Sequence, residues 1–224
     1  MQKKLILALL MIALAAGGAF AQLGLSVGGG GLFDLSARNG VKTKIGNDDV
    51  YEGFRNMSIG GFIFFDVTYA ELNVSFAYGS ISSVYVGLDG EKFVNGQNGN
   101  DTKLSAMQFG FSLLGKYPIN MGKLTIFPLF GVDYNIVLSV KNDGHSIDNP
   151  GYNNQFGLLA GIGGDINLTK SLFFRMEGLF HLRLPTKNYN DAKDLAVKGG
   201  ADKKEINTTW GMGPQIKLAL GFRF

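Results

Sequence analysis

The segment "NDGHSID", residues 142–148, gathers Asp143, His145, Ser146 and Asp148 in one short run. An imidazole beside carboxylates and a hydroxyl is the material of acid–base or nucleophilic catalysis, or of a loose metal site. Four polar residues in one loop are equally the composition of a solvated tip. The other histidine, His181, stands within an apolar alternation. "GGGG" at 28–31 has the glycines of a phosphate cradle, but no helix follows to supply the anion site. Cysteine is absent, which removes thiol chemistry and any disulfide framework. No catalytic, metal-binding or cofactor-binding residue is assigned, and the chain is not expected to be an enzyme.

A second set of residues has a different chemistry. Asp34, Glu71, Asp133, Asp165, Arg175, Glu177, Arg183, Lys217 and Arg223 lie inside stretches that are otherwise apolar and rich in glycine. Charges placed there must be paired to be tolerated. They form either a structural ion network or the lining of a polar passage, and the elements that carry them decide what they enclose.

Those elements alternate with a period of two, the pattern of strands with unlike faces. Eight segments show it, at roughly 22–36, 56–66, 69–86, 103–117, 123–139, 153–168, 171–184 and 206–224. Short links fall at Val67-Thr68, around Ile119–Gly122 and at Thr169-Lys170-Ser171. Long polar links fall at 37–55, 87–102, 140–152 and 185–205. Tight turns on one rim and long loops on the other predict an up-and-down antiparallel meander with both termini at the tight end.

Volume decides which face is inside. One face carries about forty large apolar side chains, Ile59, Phe76, Phe111, Phe130 and Leu218 among them, and no charge. The other carries glycines at 24, 28, 30, 60, 79, 110, 131, 157, 161, 163, 211, 213 and 221, all nine charges, and Leu32, Phe62, Phe64, Phe127, Leu129, Val137, Leu159, Phe173 and Leu179. An eight-stranded barrel encloses little more than its own side chains or one small ligand. It cannot hold the apolar face, so that face points outward, and such an exterior is stable only in lipid. A soluble barrel with an apolar interior fails the same volume test. The charges therefore line the lumen, with Glu71, Asp165, Arg175, Glu177, Lys217 and Arg223 low, near the tight turns. Asp34, Asp133 and Arg183 lie higher. Leu168 and Leu172 share the outer face only if Thr169–Ser171 is a three-residue turn, which sets Asp165 opposite Arg175.

The ends of the chain agree with this. "MQKKLILALLMIALAAGGAFAQ" has a basic start, a short apolar core and the small pair Ala19 and Ala21, as a signal peptide cut after Ala21 would. Its apolar run is short for a membrane span, and Gln22 is not a lipid-anchoring Cys. The domains expected are 1–21, a cleaved signal peptide, and 22–224, the barrel. Without Lys3 and Lys4, 19 basic residues stand against 18 acidic ones, which argues against a nucleic-acid partner.

With its export signal, eight alternating segments, loop asymmetry and final "IKLALGFRF", the chain resembles the small eight-stranded outer-membrane barrels of the OmpA/OmpX/OmpW-like group. The resemblance covers 22–224. It implies an all-β, eight-stranded antiparallel up-and-down transmembrane β-barrel with four long extracellular loops and three short periplasmic turns. It also implies that Leu220, Phe222 and Phe224 form the signal read by the barrel-assembly machinery. The partners expected are outer-membrane lipid, that machinery and an extracellular ligand met through the loops, with the barrel a monomer. Three roles remain open at this point: a structural or surface-interaction barrel, an OmpW-like barrel that binds or passes small apolar compounds, and an outer-membrane enzyme.

Overall fold

The computed structural model describes residues 24–45, 48–87, 92–93, 103–142, 145–146, 154–185 and 210–224. The signal-peptide segment and its cleavage at Ala21 lie outside these residues, as does most of 185–205. Eight long strands form the wall: β1 (Leu25–Ile45), β2 (Asp48–Val67), β3 (Ala70–Gly87) and β4 (Lys103–Lys116), then β5 (Leu124–Asn142), β6 (Gln155–Asn167), β7 (Leu172–Arg183) and β8 (Gly211–Arg223). Each pairs antiparallel with the next, and β8 pairs antiparallel with β1 from Ser26↔Arg223 to Arg38↔Gly211. The sheet is therefore a closed barrel, the one strand architecture that satisfies its own backbone inside hydrocarbon. Closure reaches the last residue, where the Phe224 N–H donates to the Leu25 carbonyl at 2.9 Å.

The turns at one rim are tight for identifiable reasons. Thr68-Tyr69 join the pair Val67↔Ala70, one residue later than the sequence places the link. Gly122-Lys123 join Met121↔Leu124, and Gly122 has φ 76°, a conformation that glycine adopts without strain. The third turn is Thr169–Ser171. There the Leu172 carbonyl accepts from both Leu168 and Thr169 N–H, while the Thr169 hydroxyl oxygen accepts from Leu172 N–H at 2.9 Å.

At the opposite rim the strands run further than their hydrophobic pattern. Residues 37–55, expected to be a long loop, are instead mostly strand. β1 and β2 stay paired from Arg38↔Phe54 to Ile45↔Asp48, with an irregularity between Asn39 and Lys42. Likewise β5 continues to Asn142, and His145–Ser146 turns back onto it. Polar residues such as Lys42, Thr43 and Lys44 occupy both parities here, so alternation vanishes and the hairpin ends read as loop.

The two faces are chemically unlike. Outside, Ile59 and Phe130 are each 67% exposed, and Leu113, Phe180 and Leu220 are likewise exposed. Inside, Phe64, Phe127 and Phe173 are completely buried. The inward glycines make this filling possible. A Cβ on Gly163 would lie 2.2 Å from the Phe127 ring, and Gly28 and Gly221 face Phe64 and Phe173 in the same way. At Gly30 and Gly131 the neighbouring strand itself approaches, with a carbonyl oxygen about 2 Å from where a Cβ would stand. Only a residue without a side chain lets the wall bend so sharply. One bulge marks the upper wall: Met107↔Ser139 is followed by Gln108↔Val137, which leaves Leu138 extra and exposed. Asn154 Oδ1 accepts the nearby Val137 N–H at 2.8 Å.

Candidate functional site in the barrel lumen

Arg175 is the centre of the lower lumen. The three-residue turn places it opposite Asp165 on β6, and the two side chains meet as a fork, Nε to Oδ1 at 2.7 Å and Nη2 to Oδ2 at 2.8 Å. The same guanidinium then crosses the lumen. Its Nη1 donates to Glu71 Oε2 at 2.5 Å and its Nη2 to Asp66 Oδ2 at 2.7 Å. Phe64 lies under its plane with the ring centre 4.4 Å away, and Phe127 and Phe173 flank it at 5.1 Å. A planar cation with five donors suits such a site, since it binds carboxylates bidentately and stacks on rings at once.

The carboxylates around it are held from other sides. Lys116 pairs with Asp66 and lies 4.7 Å over the Phe127 ring. Ser26 Oγ donates to Asp66 at 3.2 Å, and Asn73 Nδ2 donates to Glu71 at 2.8 Å. Arg223, at the tight-turn rim and partly exposed, reaches Asp165 at 3.4 Å and Asn167 at 3.3 Å. Asp66, Glu71 and Asp165 thus face Lys116, Arg175 and Arg223, three acids against three bases. Excess charge of either sign would be costly at this depth.

Two smaller groups lie above. Glu177 and Lys217, directly opposed on β7 and β8, approach to 3.4 Å, and Lys217 Nζ stands 5.2 Å from the Phe62 ring centre. Higher still, Asp34 Oδ2 accepts from Arg183 Nη2 at 2.8 Å and from Gln215 Nε2 at 3.1 Å, with His181 Nδ1 3.3 Å away. Asp133 accepts from Asn135 at 2.5 Å. Both nitrogens of His181 and both carboxylate oxygens of Glu177 have no hydrogen-bond partner among the described residues. Between these polar layers the lumen is packed with apolar side chains. Leu32, Phe62, Phe64, Ala77, Phe173 and Ala219 form one cluster, and Leu114, Phe127, Leu129, Leu159 and Leu179 another.

All nine charges expected in the lumen are on its inner face, but they do not form one network. Arg175, Asp165, Glu71 and Arg223 meet at the bottom. Glu177 with Lys217, and Asp34 with Arg183, make separate pairs, while Asp133 stands with Asn135. Sequence reasoning missed Asp66 and Lys116. Both were legible by parity, since Asp66 follows the inward Phe62 and Phe64 in steps of two, and Lys116 follows the inward Leu114. Their nearness to turns made them look solvated. Of the "NDGHSID" group, His145 and Ser146 are exposed, and Asp143 and Asp148 lie outside the described residues. Among the described residues no three His, Cys, Asp or Glu side chains gather as a metal site.

No protein-family model matches the chain, and no curated protein is similar to it. Solved structures are similar at low identity. Ail, the attachment invasion locus protein of Yersinia pestis, solved in complex with the heparin analogue sucrose octasulfate, shares 11% identity. That match covers 90% of this chain and 99% of Ail, with a TM-score of 0.35. A major outer membrane protein from Thermus thermophilus shares 15% identity over 87% of this chain and 99% of its own, with a TM-score of 0.37. The translocator domain of the autotransporter NalP from Neisseria meningitidis shares 11% identity over 99% of this chain and 98% of its own, with a TM-score of 0.32. The closed antiparallel ring of eight strands, apolar outside and filled within, is the architecture of the small outer-membrane β-barrels.

Proposed function

We propose that this protein is a monomeric outer-membrane barrel whose role is structural or surface-directed, exercised by the hairpins and loops at its long-loop end. The observation that carries the reading is the plug at the other end. Arg175 binds three carboxylates contributed by three strands, and the fully buried Phe64, Phe127 and Phe173 rings surround it. A conduit needs a continuous polar path, whereas this cross-section is occupied by protein. An OmpW-like role in binding small apolar compounds would need room beside the inward apolar side chains. Those side chains pack on one another and on Gly28, Gly163 and Gly221. The proposal includes no catalytic step.

Liposome swelling in small sugars, with single-channel recording in a planar bilayer, tests it. Vesicles carrying the refolded chain should swell no faster than empty vesicles and show no conductance steps. Reproducible conductance steps, with swelling that slows as the sugar grows larger, would replace this reading with that of a narrow channel.

We further propose that Leu220, Phe222 and Phe224 are read by the barrel-assembly machinery. Leu220 and Phe222 are exposed on the outer face of β8, and Phe224, just past its end, is 74% exposed. Phe224→Asp should lower the amount of chain inserted in the outer membrane several-fold while leaving detergent-refolded barrel stability nearly unchanged. Normal insertion of this variant in cells would remove the assembly reading.

A further inference from the structure

The outer wall carries one feature that the smooth exterior of a barrel does not require. A groove of about 490 Å³ opens where β1, β2, β3 and β8 meet, lined by Leu35, Met57, Met212 and Pro214 together with Arg55 and Ser80. It lies where the ladder of the closing seam is interrupted although the strands keep their register. β1 and β8 are paired up to Asp34↔Gln215 and again from Ala37↔Met212, but Leu35 and Ser36 have no partners opposite Pro214 and Gly213. Pro214 has no N–H to offer a ladder.

The height of the groove sets what can meet it. A rise of about 3.3 Å per residue and a strand tilt of about 40° give roughly 2.5 Å of height per position. Leu35, ten positions above Leu25 at the tight-turn rim, then stands roughly 25 Å up, at the far edge of an apolar band about 25 Å tall. Met57 pairs with Leu35 at that level, and Arg55, two positions further, pairs with Ala37. Arg55 is exposed, and the register sets Ala37 and Ser82 beside it, neither of them acidic. An apolar trough therefore ends, at the depth of lipid headgroups, on a guanidinium with no acidic partner among the described residues.

We propose that this groove is a binding site for a phosphorylated lipid of the leaflet at the long-loop end. The acyl chain lies along Leu35, Met57, Met212 and Pro214, and the phosphate is bound by Arg55. Guanidinium suits the anion because it offers two parallel N–H donors to phosphate oxygens. The proposal rests on the reading of the barrel as membrane-spanning, and it adds a lipid of defined charge to the outer surface.

The single tryptophan of the chain, Trp210, is exposed two residues from Met212 and reports on this site. The full chain is refolded into phosphatidylcholine vesicles, and Trp210 fluorescence is titrated with brominated-chain phosphatidic acid or brominated-chain phosphatidylcholine. One favourable basic contact corresponds to a preference of about fivefold for the anionic lipid. That preference should fall to about one in Arg55→Gln and be largely kept in Arg55→Lys. Both variants should show the parent's heat-modifiable gel mobility, since Arg55 is exposed. Equal quenching by the two lipids in the parent would overturn the proposal. So would a preference unchanged in Arg55→Gln, which would place it on other cations. Absence of quenching by both lipids, with the heat-modifiable mobility retained, would likewise overturn the proposal, whereas loss of that mobility in the vesicles would overturn the membrane-spanning reading itself.

Discussion

Arg175→Ala should destabilise the barrel by about 3–5 kcal/mol, the cost of removing one partner from a buried ion cluster. The size follows from what the guanidinium leaves behind. Asp66 would keep Lys116, and Asp165 would keep the partly exposed Arg223. Glu71, completely buried, would keep only the amide of Asn73. The penalty should therefore concentrate on Glu71. Glu71→Gln should cost less in the Arg175→Ala background than in the parent, and the difference measures the coupling. Urea titration of the chain refolded in lipid vesicles, followed by tryptophan fluorescence and gel mobility, provides the numbers. A loss under about 1 kcal/mol, with no coupling to Glu71, would mean that water enters the lower lumen and screens the charges. The plug would then be no obstacle to solutes, and the surface-directed reading would lose its main support.

The wall was readable from the sequence because lipid imposes a rule on every second residue. Where β3 crosses the membrane, Leu72, Val74, Phe76 and Tyr78 face lipid while Glu71, Asn73 and Ala77 are buried inside. No other arrangement satisfies both media. The same rule reached the register of β6 and β7. A turn of three residues is the length that keeps Leu168 and Leu172 on one face, and it sets Asp165 against Arg175 as the structure has them.

Where the rule had no hold, the reading stopped. Beyond Asn39 and Phe54 the hairpin of β1 and β2 runs past the apolar pattern, polar residues such as Lys42, Thr43 and Lys44 fall on both parities, and nothing in the pattern distinguishes strand from loop. The plug was illegible for a different reason. Arg175 reaches Glu71 and Asp66 across 104 and 109 residues of sequence. Period-two alternation tells which side of the wall a residue faces, but not which residues stand across the lumen. That depends on the stagger between strands around the closed ring. Asp66 and Lys116 have the inward parity, but each is beside a turn in sequence, and only the opposite wall that covers them shows that they are interior.

The outward direction of the apolar face is open to a direct test by depth. Phe111 on β4 pairs with Val74 and Tyr134, makes an edge-to-face contact with Phe109 at 4.9 Å, and stands five positions above Lys116. At about 2.5 Å per position that is roughly 12 Å, the middle of an apolar band about 25 Å tall. Tyr117 lies on the same outer face but at the tight-turn rim, where it stacks on Tyr69 with ring centres 6.4 Å apart. Arginine at mid-membrane costs about 2–4 kcal/mol on a barrel exterior, and near the interface about 0–1 kcal/mol. Phe111→Arg should therefore lose several times more stability than Tyr117→Arg in the same vesicle titration. A long side chain near the rim can carry its charge to water, and one at the centre cannot. Equal costs at the two depths would mean that this face does not lie in hydrocarbon. The two faces of the barrel would then have to be exchanged, with Phe111 in the interior and the charges of β7 facing water.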